Sequence, residues 1–224
     1  MVSPLQIAAI PSVPFDENTY VVHLEGRDDC LVFDPGLEPD KIIEYLERKR
    51  LTPVAFLCTH GHADHIAGNA ALKGRWPDCP LVIGAVDAPM LTDPRLNLSA
   101  AFGMPVVSPP ADQTLVEGDR YSAAGIELEV FEIPGHSPGH VVFLYKGMTP
   151  YQVIGGDVLF AGSIGRTDFP GGSFEDLAAG VHRVLFALPD DTRVLPGHGP
   201  ATTVGRERRT NPFVGEQAGL VELD

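Results

Sequence analysis

The chain has 224 residues, 44% of them hydrophobic and 21% charged, which supplies a packed core and matches ordinary soluble composition. Sixteen Lys and Arg stand against thirty Asp and Glu, a net charge of -14 with His neutral. That balance argues against nucleic acid as a partner, because phosphate backbones are bound through Lys and Arg.

No apolar run approaches the ~18 residues that cross a membrane. The opening Met1-Val2-Ser3-Pro4-Leu5 has no basic segment leading into an apolar one, so no signal peptide is read there. The expectations are a cytoplasmic protein, without membrane or nucleic-acid partners, in a single domain spanning 1–224. The oligomeric state is not readable. Cys30, Cys58 and Cys79 show no C-x-x-C spacing and read as reduced, partly buried thiols.

In chain order, Val, Tyr and Phe make Asn18 to His23 and Cys30 to Phe33 strands, and Asp34-Pro35-Gly36 ends the second as a turn. Pro39 to Arg50 predicts a helix, with Pro39 in its first turn and Ile42, Ile43 and Leu46 on helical spacing. Val54 to Cys58 reads as a buried strand. Ile126 to Ile133, Val141 to Tyr145, Gln152 to Ile154 and Val158 to Phe160 continue as strands. Phe174 to Leu188 predicts a second long helix, from Phe174, Leu177, Val181, Val184, Leu185 and Leu188 at three- and four-residue steps. Arg193 to Leu195 is a last short strand. Strands and helices alternate in both halves, which predicts an α/β fold with helices on the outer faces of sheets.

The chemistry concentrates in Thr59-His60-Gly61-His62-Ala63-Asp64-His65, directly after the apolar run 54–58. Three imidazoles and a carboxylate within six positions are a poor core filling. Packed histidines repel when protonated and need partners when neutral. A metal cation removes that conflict, since neutral imidazole and carboxylate are its usual ligands. Gly61 leaves room for a tight loop that lets His60 and His62 point the same way. His136, Asp157 and His198 each follow a predicted strand in a loop containing Gly or Pro, where sheet folds build their sites. His140 is open between hydrogen-bonding a metal ligand and a structural role. His23 and His182 read as structural.

The order H-x-H-x-D-H, then His, Asp and His, resembles the metallo-β-lactamase superfamily, over about residues 5 to 213. The resemblance implies a four-layer αβ/βα sandwich with the site along one edge of two sheets. It implies two divalent metal ions, zinc first and iron or manganese as alternatives. His60, His62 and His136 would hold one ion, Asp64, His65 and His198 the other, and Asp157 would bridge them.

β-Lactamases usually carry Cys or Ser where Asp157 stands. The full set resembles the type II glyoxalase group, thioester hydrolases acting on hydroxyacylglutathione, and some lactonases share it. The segment Phe160 to Gly172, Leu91-Thr92-Asp93-Pro94 with Asn97-Leu98-Ser99, and Pro200 to Gly205 with Asn211-Pro212-Phe213 are similar to short glyoxalase II-like proteins. Longer members add a basic helical domain, and this chain ends at Asp224 without it. Gly165-Arg166-Thr167-Asp168 also resembles persulfide dioxygenases, which use one iron.

The resemblance therefore implies a hydrolase whose nucleophile is a metal-bound hydroxide and whose partner is a small-molecule thioester; no protein side chain is assigned as general acid. A thiol ionises near ~8.5 and leaves with little help, so penicillins should be poor substrates. The alternatives are a mononuclear iron persulfide dioxygenase, a lactonase-type hydrolase or a non-catalytic zinc module. Arg166 is the candidate to pair a substrate carboxylate through its planar fork, or else to pair Asp168 within its loop. Phe169 is the candidate apolar wall. Arg206, Arg208 and Arg209 read as a solvated helix end, or else as positive charge that attracts the substrate.

Overall fold

The computed structural model describes residues 3–218. Met1 and Val2, at the start of the segment read for a leader, and 219–224, at the end of the expected domain, lie outside the described residues.

Strands β1 (Leu5–Ser12), β2 (Glu17–Leu24) and β3 (Asp29–Phe33) are antiparallel neighbours. Helix α1 (Pro39–Lys49) crosses to β4 (Thr52–Cys58), which is parallel to β3. Helices α2 (Ala63–Ile66) and α3 (Asn69–Arg75) lead to β5 (Leu81–Gly84), and β6 (Gln113–Leu115) completes the sheet in chain order.

The second six-stranded sheet holds β7 (Arg120–Ala123), β8 (Ile126–Glu132), β9 (Val141–Tyr145) and β10 (Gln152–Gly156), and later β13 (Arg193–Pro196) and β14 (Thr202–Thr203). Its order is β14-β13-β10-β9-β8-β7. Between β10 and β13 come a two-strand hairpin, β11 (Leu159–Phe160) and β12 (Ser163–Ile164), and helix α4 (Phe174–Gly180). Helix α5 (Val204–Thr210) follows β14.

Period-two alternation builds the layers. In β3 and β4, Leu31, Phe33, Ala55 and Leu57 face the space between the sheets. Cys30, Val32, Phe56 and Cys58 face Ile42, Leu46 and Leu72 of α1 and α3. In β9, Val141, Phe143 and Tyr145 face the other sheet, while Val142 and Leu144 face Leu177 and Val204 of α4 and α5. The result is helix, sheet, sheet, helix, as expected. Phe33 and Phe143 meet edge to face across the centre at 5.4 Å, and each buried ring contributes ~1.5–3 kcal/mol. Phe143→Ala would cost ~3–5 kcal/mol.

Pro39 starts α1 as predicted, and Arg50 ends it in a left-handed conformation at φ 57. The helix predicted over 174–188 is interrupted. Its α-helical part stops at Gly180, and Val181–Leu185 forms a wider π turn closed by Phe186 N–H to the Val181 carbonyl at 2.9 Å. Both Val184 and Leu185 stay buried across the widened turn, whereas Phe174 is exposed. Ser173 caps the start by accepting from Asp176 N–H. The strand read over 158–160 belongs to the hairpin and not to a main sheet.

Arg206 and Arg209 are exposed on α5, as expected for a solvated helix end, and Arg208 is half-buried there. Asp190 holds two of the three: Arg208 and Arg209 both pair with it, and Arg208 also donates to the Phe186 carbonyl. The three cysteines are unpaired and buried. No described helix is long and apolar enough to cross a membrane.

Candidate metal centre

The ends of β4, β8, β10 and β13 reach one edge of the two sheets, and their following loops carry His60, His62, His136, Asp157 and His198. Backbone bonds tie the edge together: Val141 N–H donates to the Thr59 carbonyl, Asn18 N–H to Gly197, and Gly197 N–H to Gly156, at 2.7–2.8 Å. Helix α2 brings Asp64 and His65 to the same place.

Three groups of possible ligand atoms form there, each within 4.8 Å: His60, His62 and His136; Asp64, His65 and His198; and His60, His65 and Asp157. Asp157 touches both of the first two groups. Its Oδ2 lies 3.4 Å from Nε2 of His136 and 3.4 Å from Nε2 of His198, and its Oδ1 lies 3.4 Å from Nε2 of His65.

The outer nitrogens decide which ring atoms remain free. His65 Nδ1 faces Asp34 Oδ2 at 3.2 Å, His136 Nδ1 the Arg166 carbonyl at 2.9 Å, and His198 Nδ1 the Phe15 carbonyl at 2.8 Å. Each of these acceptors holds a proton on Nδ1, so in the neutral ring, the form that binds metal, Nε2 is the free lone pair. His60 follows the same logic. The Thr59 hydroxyl donates to Asp34 Oδ2 at 2.8 Å, so its oxygen accepts from His60 Nδ1, 3.1 Å away.

Four Nε2 lone pairs thus converge on two carboxylates. His60 Nε2 and Asp157 Oδ1 are buried without a hydrogen-bond partner; the 3.4 Å approach of His65 to Oδ1 is not aligned as one. An orphaned buried acceptor costs ~1–3 kcal/mol. A cation at this point satisfies both, so the donor set fits divalent metal.

Electrostatics agree. Burial drives His62 down to about 3, and His60 falls well below the usual imidazole range for the same reason, with neighbouring imidazoles adding to it. Burial also opposes charging of His198 and His65, but Asp157 and Asp64 overcome it and raise His198 to about 10 and His65 well above normal. The carboxylates demand positive charge beside His60 and His62, which refuse protons. Gly197 leaves the necessary room: a Cβ there would strike Asp157 Oδ1 and come within 2.6 Å of His65 Cε1.

Sequence reasoning missed two supports. Asp34 is more than a turn residue: it is buried, at φ 47, and accepts from Thr59 N–H, Thr59 Oγ1 and His65. Asp87, in the loop after β5, accepts from Gly61 N–H, Ser137 Oγ and Gly139 N–H, clamping the loop of His60 and His62 to that of His136. No local pattern marks it. Gly61 leaves the room expected of it: a Cβ would lie 2.5 Å from Met90 Cβ, and His60 and His62 turn their ligand atoms to the same group. His140 accepts from Asp157 N–H at 3.0 Å and stacks on His60 at 4.8 Å, which settles its role as a support. His23 and His182 stand outside the cluster.

A cleft of about 450 Å³ opens over the cluster. Arg166 and Phe169 both line it. Arg166 Nε and Nη2 each donate to Asp168 at 2.7 Å, and its guanidinium lies 3.9 Å above the Phe169 ring, which packs on His62. Asn97 and Ser99 line another side, and Asn211 donates to the Ser163 carbonyl, steadying β12.

The sequence pattern of the metallo-beta-lactamase superfamily matches residues 13–198. Among curated proteins, "Probable metallo-hydrolase YqgX" of Bacillus subtilis is 44% identical, over 92% of this chain and 95% of its own length. "Hydroxyacylglutathione hydrolase GloC" of Haemophilus influenzae is 32% identical, over 96% and 100%. Among solved structures, BLEG-1 B3 metallo-beta-lactamase superposes at TM-score 0.89 with 37% identity, over 93% and 99% of the two chains. TTHA1623, solved in a di-iron-bound form, does so at 0.81 with 39% identity, over 92% and 99%. With most of its length matched and its ligand-type residues gathered at one sheet edge, the chain belongs to the metallo-β-lactamase superfamily.

Proposed function

We propose that the protein is a dinuclear metal-dependent hydrolase of thioesters, sharing its reaction with the hydroxyacylglutathione hydrolases, the thiol part of its substrate being a separate question. His60, His62 and His136 hold one divalent ion, Asp64, His65 and His198 the other, and Asp157 is shared. The observation that carries this reading is the convergence of four Nε2 lone pairs around Asp157. Zinc is the ion we favour for these N and O donors; the di-iron form of TTHA1623 makes iron the principal competitor.

Two such ions, when bound, acidify a water and polarise a carbonyl oxygen. The chain's residues arrange the rest. Asp34 and Thr59 hold His65 and His60 in the tautomer that presents Nε2. The carbonyls of Phe15 and Arg166 do the same for His198 and His136. Phe160, Ile164 and Phe169 line the cleft with carbon and exclude water, which strengthens electrostatic interactions inside it.

Beyond the histidines and aspartates of the cluster, the lining offers no Lys, Tyr, Cys or Glu among the described residues to deliver a proton. A thiolate leaves without that help and an amide nitrogen does not, which favours thioesters over β-lactams. The likeness to GloC supports the same reaction; the likeness to BLEG-1 supports β-lactam opening as a second reading.

One set of assays decides among them: metal analysis of the purified protein, thiol release from S-lactoylglutathione, penicillin hydrolysis, and oxygen uptake with glutathione persulfide. Thiol release with two ions per chain is expected. Efficient penicillin opening without thiol release would overturn the proposal, as would oxygen uptake with one iron.

A further inference from the structure

Much of the cleft's lining is carbon. Phe15, Leu98, Phe102 and Met104 belong to it, and three of them stay well exposed: Phe15 at 48%, Phe102 at 63% and Met104 at 64%. Large apolar side chains exposed together around a cleft mark a surface that something apolar covers.

Leu98 adds an independent observation. It sits at φ 70, a left-handed conformation that a leucine rarely adopts. The neighbouring residues impose it: Asn97 Nδ2 donates to the carbonyls of Met90 and Val106, and Asn97 Oδ1 accepts from Ser99 N–H and Ser99 Oγ. A strained residue held by a buried polar bracket points to function, and here the strained side chain is a cleft wall.

The polar groups of that wall are already committed. Asn97 and Ser99 satisfy each other and the backbone, with Val106 N–H donating to Ser99 Oγ at 2.9 Å. Arg166 is the one Lys or Arg among the described lining residues, and both arms of its fork used here rest on Asp168. A thiol bearing two carboxylates would find carbon where it needs cations, on a chain of net charge -14.

Resting on the hydrolase reading, we infer that the part of the substrate beyond the scissile bond is an uncharged apolar chain, seated on Leu98, Phe102, Met104 and Phe15. Glutathione's charged groups are not what this cleft selects.

The test uses the metal-loaded protein and a series of inert thioethers, S-methyl-, S-butyl- and S-octyl-N-acetylcysteamine, with S-methylglutathione, titrated by calorimetry. Affinity is expected to rise about fourfold per methylene while the chain contacts the wall, the equivalent of ~0.8 kcal/mol, and to total more than tenfold from methyl to octyl. The heat-capacity change should turn more negative with length. Phe102→Ser and Met104→Gln should each flatten the gradient without changing metal content. Affinity independent of chain length, or S-methylglutathione binding more tightly than the S-octyl compound, would overturn the inference. Thiol release from S-octanoyl-N-acetylcysteamine and S-lactoylglutathione, measured beside it, tests the hydrolase reading separately. A binding gradient with no thiol release removes that reading and leaves the apolar recognition; thiol release with no gradient does the reverse.

Discussion

Nδ1 of His65 lies 3.2 Å from Oδ2 of Asp34, and both side chains are buried. The same carboxylate accepts from Thr59 N–H and Thr59 Oγ1, and through Thr59 it orients His60. One acidic residue therefore sets the tautomer of a ring in each proposed metal group. Asp34→Asn keeps the shape but weakens the acceptor, and should lower metal affinity about 10–100-fold. Competition against a chelator of known affinity measures this. Wild-type affinity in a folded variant would remove Asp34 from the role.

Asp157 meets His136, His65 and His198 at 3.4 Å each. Asp157→Ala should weaken both proposed metal positions, and chelation of the wild-type protein should abolish activity. Removing ions that bind only the folded state also lowers stability, by ~4 kcal/mol for a ligand present at a thousand times its Kd. Metal analysis and thermal unfolding with and without chelator check both points. One position retained at full affinity after Asp157→Ala would show that the carboxylate is not shared.

Asp87 accepts three donors from two loops, at 3.1, 2.6 and 2.6 Å. Asp87→Asn turns one acceptor oxygen into an NH2 that faces donors. Each stranded donor costs ~1–3 kcal/mol, so the variant should lose about 2–4 kcal/mol in urea unfolding of the metal-free protein. It should also bind metal more weakly at His60, His62 and His136. A stability change confined to a few tenths of a kcal/mol would mean that the clamp is not needed.

Arg166 lies over Phe169 at 3.9 Å with its fork on Asp168. Arg166→Ala uncovers the ring that packs on His62, so KM should rise by similar factors for S-lactoylglutathione and for a small neutral thioester. A rise confined to the glutathione compound would restore Arg166 as the partner of a substrate carboxylate. Lost ground-state binding appears in KM with kcat little changed, which separates both outcomes from damage to the metal centre.

The strands at the centre of each sheet were legible because burial on both faces demands continuous apolar runs, as in Cys30–Phe33 and Val141–Tyr145. Helix α1 was legible through Pro39 and its apolar stripe. β1, whose alternation is weak, and the short strands β5, β6 and β7 carry too few residues for a period to emerge. The π turn at Val181 was invisible because apolar spacing does not distinguish a closed α turn from one widened by a residue.

For the site, the sequence by itself determined which residue types were available: five histidines and two aspartates just beyond strands, an array that only a cation makes compatible with burial. Their meeting at one sheet edge depends on β10 and β13 running parallel beside each other and on β4 lying across from them. Asp34 and Asp87 gained their roles from contacts across 25 and 26 residues of chain, a separation at which no sequence pattern survives. The choice of Asp168 as the partner of Arg166, and the apolar wall around a strained Leu98, came from packing alone. Residue chemistry is carried by each side chain wherever it stands, whereas tautomer, partner and exposure are properties of neighbours, and neighbours exist only once the two sheets have closed on each other.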